Sequence, residues 1–69
     1  MADFSKNIKI LRRESDWTQK QMAERLNVTE KTVWRWENGL AEPSIKDIKT
    51  IYKFFGESIE WLLGLRAGR

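Results

Sequence analysis

Residues 18–39 read TQKQMAERLNVTEKTVWRWENG, two short helical patterns joined by a sharp turn. Thr18 suits an N-cap, and Gln21 three residues on completes a capping box. Trp17 and Met22 flank that cap as a hydrophobic staple, and Met22, Ala23 and Leu26 recur on one helical face. Ala23 is small, as it must be where a second helix passes close. The second pattern starts at Thr29, again a capping residue, with Val28 and Val33 as its staple. Val33 and Trp36 share its apolar face, with Glu37 beside them. Between the two patterns sits Asn27, which tolerates the left-handed backbone that a tight helix–helix turn requires. Gly39 ends the second pattern.

With those apolar faces packed together, Glu30, Lys31, Thr32, Trp34 and Arg35 are left facing outward. Long polar side chains near the N-terminal half of an exposed helix are how a recognition helix meets the DNA major groove. On spacing alone, a solvated helix of any small bundle fits equally well.

Working outward, Phe4, Ile8 and Leu11 recur at i, i+4 and i+7 and predict an amphipathic first helix over residues 3–15. Asp3 near its start and Lys9, Arg12 and Arg13 toward its end suit the helix dipole. Ser15-Asp16 break the pattern. After Gly39 comes the loop Leu40-Ala41-Glu42-Pro43, where Pro43 disfavours helix at Glu42. Ser44 with Asp47 forms a further cap, and Ile45, Ile48, Ile51, Tyr52 and Phe55 predict a fourth helix over 45–55. Gly56 stops it, and Ser58 caps a short fifth helix carrying Ile59, Leu62 and Leu63, with Trp61 nearby. Short connections between five helices predict a compact all-α five-helix bundle. The expected core is Phe4, Ile8, Leu11, Met22, Ala23, Leu26, Val28, Val33, Trp36, Ile45, Ile48, Ile51, Phe55, Ile59 and Leu62. Residues 1–65 form the single expected domain, and residues 66–69 a flexible basic tail.

Composition narrows the function. With 41% hydrophobic and 33% charged residues, the chain is expected to fold as a soluble domain. It has no Cys and no His, which removes thiol chemistry, disulfides and the usual zinc sets, and fits a cytoplasmic protein. A catalyst would need a carboxylate pair or a lysine in a pocket, and the acids are scattered over solvent-facing positions, so no enzyme and no cofactor is expected. No apolar run approaches the ~20 residues that span a bilayer. Thirteen basic against ten acidic residues give a net charge of +3, a mild excess. The cations are spread over four predicted helices, so any basic face has to be assembled by folding.

The run Thr18-Gln19-x-x-Met22-Ala23-x-x-Leu26-x-Val28-Thr29-x-x-Thr32-Val33-x-x-Trp36-Glu37-Asn38-Gly39, followed by Pro43, resembles the phage repressor and Cro-type helix-turn-helix family, also called the XRE family. The likeness extends from about Phe4 to Gly64 and includes the ending Gly56-x-Ser58-Ile59-Glu60-Trp61-Leu62-Leu63. Asn27 stands where the family more commonly has Gly, Trp34 where it usually has a small or polar residue, and Tyr52 where it usually has Ala. The resemblance implies a lambda-repressor-like DNA-binding domain, with helices 2 and 3 as the helix-turn-helix. It implies an ion pair between Arg12 and Glu37. It gives Gln19 and Asn38 to the DNA backbone on the two sides of the groove. It also places Leu40, Trp61 and Leu65 near a weak twofold contact, although for Trp61 core packing is the slightly favoured alternative.

DNA binding divides into positioning on phosphates and reading base edges. Gln19 and Thr29, each at a helix start, have groups that donate to phosphate, and Lys46 near the start of the fourth helix is a further candidate. Lys31 and Arg35 suit guanine O6 and N7, Glu30 suits cytosine N4, and Thr32 offers a hydroxyl or a methyl to phosphate or thymine. Trp34 is open between lying over a sugar–phosphate edge and resting on the surface. The expected function is a sequence-specific double-stranded DNA-binding transcriptional regulator, a repressor that binds a palindromic operator as a dimer. The rival is an antitoxin-like or other protein-interaction module on the same fold, which an exposed apolar patch around Trp34, Trp61 and Leu65 would favour.

Overall fold

The computed structural model describes residues 2–69 and contains helices α1 (Ala2–Glu14), α2 (Gln19–Leu26), α3 (Glu30–Glu37), α4 (Ile45–Phe55) and α5 (Ile59–Leu62), with no strand among the described residues. Each of the four later helices opens on a hydroxyl cap. Thr18, Thr29, Ser44 and Ser58 accept from the backbone N–H of Gln21, Thr32, Asp47 and Trp61 respectively. At α2 and α4 the Gln21 and Asp47 side chains reach back to the cap N–H, which completes both capping boxes. Asn27 at φ 57° and Gly56 at φ 68° hold the left-handed conformation that ends α2 and α4. At Asn27 the chain turns within three residues, so α3 packs directly on α2.

The core lies between α1, α2 and α3 and is closed by Ile51 of α4 and by Trp61 and Leu62 of α5. Phe4 and Trp36 meet edge to face, with ring centroids 5.7 Å apart. Trp17 continues the packing outward against Phe54 and Phe55 at 5.5 and 5.8 Å, with the Arg25 guanidinium over its ring.

Several expected core positions lie elsewhere. Ile45 is 73% exposed and Ile59 37% exposed, and Val28, Ile48 and Phe55 are only partly buried. Helical phase accounts for α4: Ile51 is its fully buried residue, and at 3.6 residues per turn Ile45 lies about 120° around the helix from it, against about 40° for Phe55. Ile45 also sits at the first position of its helix, before α4 has reached the core. Trp61 moves in the opposite direction. It is 5% exposed, so it is a core residue and not part of a twofold contact. Asn7, itself buried, donates its amide to the Trp61 carbonyl at 2.7 Å and fixes α5 against α1. Asn7 stands in register with Phe4, Ile8 and Leu11, and a polar residue within an apolar stripe is the signal that marks such a role.

Candidate nucleic-acid interface

One guanidinium ties α1 to α3 and to the segment that leads into α2. Arg12 Nε and Nη2 donate to Glu37 Oε2 and Oε1 at 2.6 and 2.9 Å, and Nη1 donates to the Trp17 carbonyl at 2.9 Å. The Glu37 side chain is 1% exposed and that of Arg12 15%, so the pair is nearly removed from water. The carboxylate raises the Arg12 pKa further above its ordinary value, against the opposing effect of burial.

Glu37 accepts a third hydrogen bond. Gln19 Nε2 donates to its Oε1 at 3.2 Å, so the buried carboxylate orients the amide at the start of α2. An amide nitrogen carries two protons, which leaves one for a ligand. The first backbone N–H groups of α2 also lack intrahelical acceptors, as at every helix start, and the dipole there favours an anion. The motif spacing pointed to Gln19 but not to its link with Glu37, because residues on different helices meet only after folding.

On α3, Glu30, Lys31 and Arg35 are exposed, and none has a hydrogen-bond or ion-pair partner among the described residues. Lys31 and Arg35 lie one turn apart on the outer face, opposite buried Val33 and Trp36. Thr29 is exposed and accepts from the Thr32 N–H, and its hydroxyl lies 2.8 Å from that of Thr32. The Thr32 hydroxyl is thus engaged with the cap. Trp34 is 46% exposed at the edge of this face. Asn38 caps the far end of α3, its Nδ2 donating to the Trp34 carbonyl at 2.8 Å. Lys46 is exposed in the first turn of α4. Leu40 and Leu65 are 66% and 77% exposed.

A buried three-helix clamp behind an unpaired polar face is the frame of a helix-turn-helix, and residues 8–62 match the helix-turn-helix family. The chain belongs to that family, as an XRE-type member, a class of DNA-binding proteins and not of enzymes. Among its relatives, it is 36% identical over 61 residues to the HTH-type transcriptional activator BcrR of Enterococcus faecalis, covering 88% of this chain and 30% of that protein. It is 33% identical over 60 residues to the uncharacterized HTH-type transcriptional regulator YqaE of Bacillus subtilis (strain 168), covering 87% of this chain and 52% of that one. A crystal structure of a transcriptional regulator from Listeria innocua superposes with a TM-score of 0.81 at 33% identity, over 88% of this chain and 57% of that one. The chain therefore spans between about a third and somewhat over half of the length of these relatives.

Proposed function

We propose that this protein is a sequence-specific double-stranded DNA-binding transcriptional regulator, with α3 lying in the major groove. One observation carries the reading: Glu30, Lys31 and Arg35 stand exposed and unpaired on α3, while the Arg12–Glu37–Gln19 network holds that helix rigidly against the start of α2. Lys31 and Arg35 read guanine edges, and Glu30 selects cytosine partly by repelling wrong neighbours. Gln19, Thr29, Asn38 and Lys46 position the domain on phosphates. At 28 × 23 × 22 Å the molecule is shorter than one ~34 Å turn of B-DNA, so one copy covers one half-site and a dimer covers a palindrome. Leu40 and Leu65, both exposed, supply the apolar part of the twofold contact. Repression follows from occupying the operator. Of the three residues of the apolar patch that would favour a protein-partner module, Trp61 is buried and adds nothing to the surface.

Substitution separates the two kinds of contact. Lys31→Ala or Arg35→Ala weakens the preferred site by about 1–3 kcal/mol and relaxes preference at one base position, whereas Gln19→Ala weakens all sequences evenly. Competition binding against a panel of single-base variants reads the difference. An Arg35→Ala protein with unchanged affinity and preference would show that α3 is not the reading helix.

A further inference from the structure

The two ends of the reading unit are electrostatically unequal. At the α2 start, free N–H groups and the positive end of a helix dipole favour a phosphate. At the other end, α3 closes on Asn38, where the dipole is negative and a phosphate is repelled. Asn38 is also a weak anchor by itself, because its amide already donates to the Trp34 carbonyl. A DNA strand running past this end needs a cation, and neither α3 nor the turn after it provides one beyond Arg35.

The cations come from α1. Ser5, Lys6, Lys9, Glu37, Asn38 and Gly39 line one open notch between α1 and the end of α3. Gly39, at φ 71°, brings the turn close enough that a Cβ on it would lie 3.7 Å from Ser5 Oγ, which fixes the wall of the notch. Lys6 and Lys9 are spaced i, i+3 and so share one face of α1. Neither has an ion-pair partner among the described residues. Glu37, the one acid of the notch, is neutralised by Arg12. The notch is thus a net positive site next to the Asn38 amide.

We infer that Lys6 and Lys9 form a phosphate-binding site with Asn38, gripping the DNA strand that passes the C-terminal end of α3. This rests on the DNA-binding reading above and extends its footprint from the helix-turn-helix to α1. The contacts are to backbone, so they add affinity and salt dependence without sequence preference.

The test measures affinity for a mixed-sequence duplex over a range of salt, for the wild type, Lys6→Gln/Lys9→Gln and Lys6→Arg/Lys9→Arg. Each lost phosphate contact reduces the slope of log K against log salt by about 0.9. The glutamine pair is therefore expected to lose about 1.8 from the slope, and the arginine pair to retain it. A Lys53→Gln control, about 10 Å along α4 from Lys46, is expected to leave the slope unchanged. A glutamine pair with the wild-type slope, or with a loss no larger than that of Lys53→Gln, overturns the site while leaving the DNA reading standing. A wild-type protein that binds no duplex at low salt overturns both.

Discussion

Glu37 is the residue on which most of the interface depends, although its side chain is almost wholly buried. Its carboxylate is held by Arg12 and in turn holds Gln19. Replacing Arg12 by Met leaves that carboxylate buried without a counter-ion, a loss of about 3–5 kcal/mol, whereas replacing both partners by apolar residues removes the desolvation penalty as well as the attraction. Urea denaturation should therefore show Arg12→Met strongly destabilised and Arg12→Met/Glu37→Leu largely restored. DNA affinity should not return in the double variant, because Gln19 has lost the acceptor that aims it. If affinity returned with stability, Glu37 would be a packing residue only. The sequence carried this pair solely through likeness to a family. The two residues lie 25 positions apart, and no local periodicity links them.

Individual helices were far more legible than the contacts between them. Caps and stops act over three or four residues, so Thr18-x-x-Gln21 and Ser44-x-x-Asp47 could be read directly, and α4 runs over the expected 45–55. Asn27 was identifiable because few residues accept φ 57°. Spacing was less informative about which side of a helix is buried. Ile45, Ile48, Ile51 and Phe55 all fit an apolar stripe, but the core contacts α4 along a narrower arc centred near Ile51. This gives a contrast between two isoleucines of one helix. Ile51→Ala should cost about 2–5 kcal/mol, and Ile45→Ser no more than about 0.5 kcal/mol. Comparable losses in thermal or urea unfolding would mean that α4 is rotated from the phase described. Trp61 was left open between core packing and a twofold contact, since a lone Trp in a four-residue helix gives no period from which to infer a buried face.

At the scale of the whole molecule, the last residues close over the first helix. Gly64, at φ 80°, passes so near Asp3 that a Cβ would collide with that side chain, and only glycine fits there. Residues 66–69, read from the sequence as a flexible basic tail, are placed with Arg69 on both oxygens of Glu14 at 2.7 Å, on Glu57 at 2.9 Å, and over the Trp61 ring at 4.6 Å. A composition of isolated arginines did not reveal these partners, which come from α1, from the loop before α5 and from α5 itself. The hydrogen bond from Arg69 lowers the Glu14 pKa below its usual 4.5. A depressed carboxylate stabilises the docked tail above its ordinary pKa and loses that contribution as pH falls through the folded value. Acidification below the ordinary carboxylate range should release the tail, with the Trp61 indole resonance following the Glu14 titration in NMR. In Arg69→Gln the Glu14 midpoint should rise to the ordinary value, and an unchanged midpoint would contradict the contact. Global stability should change little, because the pair is exposed and screened.

The most direct test of the central claim is selection of bound duplexes from a random-sequence DNA pool, repeated at low and near-physiological salt. The account predicts that a twofold-symmetric site emerges, with half-sites about one helical turn apart, and that it survives the higher salt. Sequence-blind binding that collapses as salt rises would contradict it, because that is the behaviour of a basic surface with no reading helix.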